Sequence, residues 1–271
     1  MVSVVIVNYH TLDDVAQCVA SIREHTEGVE YEVIVVDNAS EENFEESVRL
    51  RCGADVRALP LDSNVGFGRA NNAGFEAARG EKVFCLNPDT LLLNNAIKIL
   101  SDFLDDNPEV GACGGNLYRK DMKPALSFRR ILPGIFWEIS ESFRRHPERL
   151  IYGRNTRFNK GKRPFTVGYI TGADLMMRRE VVEQTGGFSP EFFMYFEETD
   201  LCRRIKLLGW KLMSVPAAKI QHLEGTSFPD EESRKRRIRL YEEGRNIYYR
   251  RNMKPFRIRI CNFIYNLRNR S

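Results

Sequence analysis

The chain has 271 residues, of which 42% are hydrophobic and 29% charged, with a formal net charge of +4. That balance excludes a disordered or fibrous chain and leaves one large core or two fused half-domains. No apolar run approaches the roughly 20 residues that span a bilayer, so no transmembrane helix is expected.

Residues 2–9 (VSVVIVNY) are apolar and rich in β-branched side chains. They carry no basic leader and no small-residue cleavage site, so they read as a first strand buried on both faces rather than a signal peptide. Thr11 is a candidate N-cap, and Val15, Cys18, Val19 and Ile22 then recur at helical spacing. A second buried strand at 31–36 stops at Asp37-Asn38. A charged helix over 44–51 and a third strand at 56–61 follow. After a turn-rich stretch at 62–68 comes a helix ending near Gly80, then a fourth strand at 82–86 that stops at Asn87-Pro88-Asp89. An amphipathic helix over 96–105 and a strand at 110–113 complete this half. Strand and helix alternate throughout, which predicts a mostly parallel sheet with helices on both faces. Ligands in such sheets bind beyond the strand carboxyl ends, so Asp37 and Asp89 should share one rim.

Residues 120–163 mix Pro, Arg and aromatics without a period and read as a mobile excursion over the acceptor side. Order returns at 167–177, with a helix over 197–208, a strand at 210–215 and a basic helix over 231–251. The chain from Ser233 onward is dense in Arg and Lys, with Phe256, Ile258, Ile260, Phe263, Ile264, Tyr265 and Leu267 interleaved. Such a tail suits an anionic membrane surface or a packing helix. It lacks any recognised nucleic-acid-binding motif, and no nucleic-acid partner is expected. The cysteines Cys18, Cys52, Cys85, Cys113, Cys202 and Cys261 are scattered without a CxxC pair, which points to a reducing cytosol.

Four clusters could carry chemistry. Asp37-Asn38-Ala39-Ser40 offers either a carboxylate for the N–H of a pyrimidine or an Asx turn that closes the strand. Residues 64–74 (NVGFGRANNAG) hold GxG followed by Asn71, after the third strand rather than the first, which excludes a nicotinamide fingerprint. Their glycines still permit close approach of backbone to a ligand. Asp89 in LNPDT is either a turn residue or a ligand for a cation that neutralises a diphosphate. Glu197, Glu198 and Asp200 crowd a helix start, where acids suit the macrodipole. The aromatics Phe192, Phe193, Tyr195 and Phe196 lead into them, and shelter from water would raise a carboxyl pKa as a general base requires. His222 is one of four histidines, and a metal role requires the fold to bring it to Asp89.

Taken together, VSVVIVNY, VDNAS, SNVGFGRANNAG, LNPDT, YITGADLMMRREV, GGFSPEFFMYFEETDLCRR and QHLEGTS resemble, in order and spacing, family 2 of the glycosyltransferases. This is the inverting GT-A class, and the match is to its bacterial rhamnosyltransferase-like branch. The resemblance implies a GT-A α/β fold with a Rossmann-like, mostly parallel sheet, over residues 1–228. Residues 1–95 would bind the nucleotide-sugar, 96–228 would hold the acceptor and catalytic half, and 229–271 would form a basic helical tail. By position it implies a base contact at Asp37 and a divalent cation, Mg2+ or Mn2+, at Asp89 and His222. Asn87 replaces the first acid of the family's D-x-D motif. The donor surface would take in Asn8, Asn38, Asn64, Gly66, Asn71, Asn87, Gly172 and Ala173. Glu198 stands where the family carries its catalytic acid, with Glu197 and Asp200 as alternatives. The partners implied are a nucleoside-diphosphate sugar and a glycan or polyprenyl-linked saccharide acceptor. The expected location is the cytoplasm, peripheral on the plasma membrane. A nucleotidyltransferase would need a Gly- and Lys-bearing loop after the first strand, where this chain has Asn8-Tyr9-His10-Thr11. A non-catalytic sugar-nucleotide-binding relative would release no nucleoside diphosphate.

Overall fold

The computed structural model describes residues 1–223 and 231–270, with Ser233 and Arg270 described by their main chain alone. Residues 224–227 of the last motif, and the domain boundary expected at 228, lie outside the described residues.

The first half alternates as the apolar runs require. β1 (Val2–Asn8) leads to α1 (Leu12–His25), β2 (Tyr31–Asp37), α2 (Phe44–Cys52), β3 (Arg57–Pro60), α3 (Phe67–Ala77) and β4 (Lys82–Leu86). Successive strand side chains point to opposite faces. Val2, Val4 and Ile6 of β1 therefore pack with Val15, Val19 and Ile22 of α1, while Val5 and Val7 pack with Ala70 and Phe75 of α3. Both faces are covered, which is why β1 reads as a continuous apolar run rather than an alternating one. Thr11 stands at the N-cap position of α1 without capping it. Its hydroxyl and its amide both donate to Asn8 Oδ1, at 3.1 Å each.

The chain continues through β5 (Thr90–Leu92), α4 (Ala96–Asp106), β6 (Val110–Tyr118), β7 (Phe128–Arg129), α5 (Ile135–Ser142) and α6 (His146–Tyr152). Then come β8 (Phe165–Thr166), β9 (Tyr169–Ile170), β10 (Asp174–Arg178), α7 (Arg179–Thr185), α8 (Glu197–Leu207) and β11 (Lys211–His222). The sheet order is β3-β2-β1-β4-β10-β6-β11-β5, with β8 also on β11. It is mostly parallel, and β10 is wedged antiparallel between β4 and β6. β11 runs seven residues past the expected stop at 215. A register shift between Ser214 and Lys219 accommodates Pro216, and pairing with β6 then resumes and carries His222 to the rim opposite Thr90.

The excursion after β6 is pinned rather than loose. Arg129 is buried and pairs with Glu148 at 2.9 Å and Glu141 at 2.8 Å. The basic tail forms α9 (Glu231–Asn252) and α10 (Pro255–Arg270). It is not a free arm: Tyr248, Tyr249 and Cys261 form a third buried cluster with Phe192 and Phe196 beside α8.

Candidate active site

The carboxyl ends of β1, β2, β4 and β11 and the start of β10 meet on one rim. At its outer end, Asn8 donates to Asp37 Oδ1 at 2.8 Å. Asp37 Oδ1 also accepts from Ser40 Oγ at 2.6 Å, and Oδ2 accepts from the amides of Ser40 and Glu41. These donors fill the four acceptor positions of a carboxylate. The Asx turn is thus present, and any base held through Asp37 must displace one of these donors. Asn38 Oδ1 accepts from the Val65 amide at 2.8 Å, and its Nδ2 donates to Asn64 Oδ1 at 2.9 Å. Asn64 Oδ1 also takes the Gly66 amide. The asparagines therefore build the loop that carries the GxG segment.

Gly66 has φ +86°, and a Cβ there would collide with the Phe193 carbonyl. That carbonyl accepts from the Phe67 amide at 3.0 Å, so the 64–68 loop is locked to the turn before α8. Asn71, expected on the donor surface, braces its own helix. It is buried, and its Nδ2 donates to the Phe67 carbonyl within α3 at 3.0 Å.

In the centre, the Asn87 amide donates to the Ala173 carbonyl at 3.1 Å, joining the end of β4 to the 171–173 turn. His222 Nε2 lies 3.2 Å from Asp89 Oδ1 and 3.4 Å from Asn87 Nδ2. Asp89 and His222 retain 17% and 15% side-chain exposure, enough to be reached from solvent. Asn87 Oδ1 is sealed from water and accepts no hydrogen bond. Among the described residues no three of His, Cys, Asp and Glu form a ready cation cage. The donor set nonetheless fits a hard cation of the kind that takes one carboxylate and completes its shell with substrate phosphates and water. One further acid enters the same field. Burial and then the charge of Asp89 raise the carboxyl pKa of Asp14 on α1.

The start of α8 closes the site. Tyr195 and Phe196 both have φ +68°, a left-handed conformation that bulky residues rarely hold and that costs of order 1–3 kcal/mol each. Gly244 of α9 braces this turn, since a Cβ there would strike the Tyr195 carbonyl. The strained turn presents Glu197 and Glu198 to the rim. A Cβ built on Gly172 would lie 3.8 Å from Glu198 Cβ and press on the Phe67 ring at 3.0 Å, so glycine lets the turn pass closely beneath the acid. Burial raises the Glu198 pKa. Burial, and then the charge of Glu198, hold Glu197 well above the usual range, and Glu197 Oε2 has no hydrogen-bond partner. Asp200, the further catalytic alternative, is engaged within the fold. It is buried and accepts from Arg204 Nε at 2.8 Å, Asn252 Nδ2 at 3.2 Å and Arg251 Nε at 3.4 Å, which ties α8 to α9.

Sequence reasoning passed over Asp174. It is fully buried and accepts the Gly115 amide at 2.7 Å, which fixes the 171–174 turn against β6. Burial raises its pKa well above the usual range, and its bond from the Gly115 amide makes it a positioning group for the turn. An acid opening the apolar strand DLMMR was the available signal.

Residues 3–186 match the family model described as Glycosyl transferase family 2, which ends before Glu197 and His222. Over 206 residues the chain is 31% identical to an N-acetylglucosaminyl-diphospho-decaprenol L-rhamnosyltransferase of Mycobacterium tuberculosis. That alignment covers 70% of this chain and 66% of the relative, just under two thirds of its length. A poly-beta-1,6-N-acetyl-D-glucosamine synthase of Staphylococcus epidermidis is 30% identical over 107 residues, 39% of this chain and 25% of that protein. Among solved structures, a mannosyltransferase from Pyrobaculum calidifontis in complex with GDP-Man and Mn2+ superposes with a TM-score of 0.62. It is 18% identical, and 97% of this chain and 69% of that one are covered. A GalNAc transferase with UDP, GalNAc and Mn2+ gives 0.61 at 18% identity, covering 92% of this chain and 49% of that one. These structures share the GT-A fold.

Proposed function

The chain belongs to glycosyl transferase family 2, and on that premise we propose an inverting, cation-assisted transfer of a sugar from a nucleoside diphosphate. The first donor to consider is dTDP-rhamnose, ahead of a UDP-sugar. The acceptor is a glycan or lipid-linked saccharide of bacterial cell-surface polysaccharide synthesis. The observation that carries the reading is the single bridge of Gly172 and Ala173 between Glu198 and the Asn87–Asp89–His222 group. On this reading Glu198 is a sheltered base at one end of the sugar site, and Asn87, Asp89 and His222 are its diphosphate-binding end. The test is nucleoside-diphosphate release over a donor panel with Mg2+ and Mn2+. Absence of release with every donor and acceptor would favour the non-catalytic alternative.

Glu198 accepts the proton of an acceptor hydroxyl as that oxygen attacks the anomeric carbon. The bond from that carbon to the diphosphate oxygen breaks from the opposite side, and the configuration inverts. Gly172 gives the sugar room against the backbone, and Asp174 holds that backbone in place. Asp89 and His222 would hold a divalent cation, which would supply charge neutralisation for the leaving group. Chelation is expected to abolish turnover. Asp89→Ala should lower cation affinity by at least about 10–100-fold, and His222→Ala should weaken it more than it lowers Tm. Full turnover in chelator would remove the cation from the reaction.

We assign the tail to an anionic bilayer on the cytoplasmic side. Ile258, Cys261, Tyr265 and Arg268 line the inner face of α10, whereas Phe256, Ile260, Phe263 and Leu267 form an outer stripe at helical spacing. That stripe is 59%, 40%, 65% and 54% exposed and runs beside exposed Arg257 and Arg259. Each basic side chain near an anionic surface contributes about 1 kcal/mol. Phe256→Ser with Phe263→Ser is expected to release the protein from anionic vesicles in a sedimentation assay and leave Tm unchanged. Equal sedimentation of the double variant would show the stripe to be idle.

A further inference from the structure

The loop after β6 and the stretch after α6 enclose a cleft of about 480 Å3. Its lining holds six cations, Arg119, Arg145, Arg149, Arg154, Arg157 and Lys160, and no acid. Among the described residues none of the six is in an ion pair. Of the acids beside the cleft, Glu141 and Glu148 are engaged by Arg129 and Asp121 by Lys123. Arg157 Nε is sealed from water and has no hydrogen-bond partner. Burial, and then the like charges of Arg145 and Arg129, depress its pKa. Arg144 and Arg145 both have positive φ, 49° and 66°, so the backbone is strained where it delivers Arg145 to the cleft. Six cations gathered with no ion-pair partner of their own repel one another, and an unpaired buried guanidinium nitrogen is costly. An oxyanion with several acceptors relieves both, and guanidinium forks match phosphate geometry.

The cleft adjoins the catalytic rim on the side away from the nucleotide loops. Gln221, next to His222, donates to the carbonyls of Arg119 and Lys120 at 3.3 Å. The amide of Thr171, next to Gly172, donates at 3.1 Å to the carbonyl of Ser127, which follows the lining residue Leu126. The only aromatic in the lining, Phe158, is buried edge-on against Tyr118, so no ring is free to stack a nucleic-acid base. The donor diphosphate already has its own group at Asn87, Asp89 and His222. We infer that this cleft binds the diphosphate ester through which the acceptor saccharide is linked, resting on the glycosyl-transfer reading. The acceptor sugar then lies toward Glu198 with its anionic linker in the arginine cleft.

The test is a binding measurement, so it does not depend on turnover. The full chain, saturated with dTDP and in a second series with UDP, is titrated calorimetrically with N-acetylglucosamine diphosphate on a short soluble alkyl chain. The uncharged alkyl glycoside of the same sugar is titrated in parallel. Arg149 and Arg154 are exposed, and Arg149→Ser with Arg154→Ser is not expected to move Tm; Lys160→Ser is the substitute if it does. The double variant should bind the diphosphate probe at least about 10-fold more weakly. Its binding of the uncharged glycoside and of the nucleotides should be unchanged, and wild-type affinity for the probe should fall with added salt. Equal affinity of wild type and variant for the diphosphate probe overturns the proposal. So does a variant that keeps the probe but loses sedimentation with phosphatidylglycerol vesicles, because the cleft would then serve a lipid headgroup. Intact diphosphate binding without nucleoside-diphosphate release would instead count against the transfer reading alone.

Discussion

Glu198→Gln is expected to fold, bind donor and lose turnover by at least about 10²–10⁴-fold, the range that positioned general bases contribute. The amide keeps the volume and one acceptor oxygen of the acid, so only the proton-accepting charge is removed. Glu198 is the reachable member of its pair, because it stands over Gly172 and keeps partial exposure while Glu197 is buried. The pH profile supplies a second readout. Burial raises the Glu198 pKa, and the base works only when ionised. The rate should therefore rise with pH along an acid limb that lies above the ordinary glutamate value of 4.5. The two glutamates titrate as a pair, so the limb belongs to both. Stability moves the other way. A carboxyl whose pKa is raised in the fold binds more protons there than in the unfolded chain. The stability it contributes is present below the unfolded pKa and lost as pH rises through the folded one. Glu197→Gln, which makes that neutral state permanent, should consequently melt higher than the wild type at neutral pH. Near-normal turnover in Glu198→Gln together with an inactive Glu197→Gln would transfer the base to Glu197.

What was legible in the sequence was whatever a local period or punctuation encodes. The runs in β1, β2 and β4 are apolar because both their faces are covered, and each stops at the Asn or Asp that reaches the rim. Asp37 and Asp89 could thus be placed on one edge before any contact was known. What was not legible came from long-range pairing. Pro216 reads as the end of a strand, and only the bulged register with β6 shows that β11 continues to His222. Asp200 looks identical to Glu198 in FEETD, and the Arg251 and Asn252 side chains of α9 that engage it lie some fifty residues on, beyond any local pattern. The arginine cleft had no periodic signal either. Its cations are spread from 119 to 160, and the excursion gathers them through the buried Arg129–Glu148 pair.

The same long-range logic predicts the largest stability loss. Glu138 of α5 is fully buried. Its Oε1 accepts from Arg245 at 2.8 and 2.5 Å and from Tyr249 Oη at 2.8 Å, and its Oε2 accepts from Arg268 at 3.2 Å. One carboxylate thereby fastens both tail helices, with Arg245 itself 3% exposed and stacked over the rings of Tyr249 and Tyr265. Glu138→Ala removes the only carboxylate paired with Arg245 among the described residues and leaves a buried guanidinium without a counter-charge. Breaking such a pair costs about 3–5 kcal/mol, which for a chain of this size lowers Tm by roughly 10 °C. The loss should reach the turn before α8, because Gly244 of α9 supports the strained Tyr195 backbone and Arg251 of α9 holds Asp200 of α8. Turnover should then fall at temperatures below the melting transition, and amide exchange should rise first in α10 and α9. Truncation after Arg250 is a poorer probe, since it removes Arg268 and Cys261 from the same cluster along with the exposed stripe. A melting temperature within a degree or two of the wild type would show that the tail is held by its apolar contacts alone, with Phe192, Phe196, Tyr248 and Tyr249 sufficient to seat it.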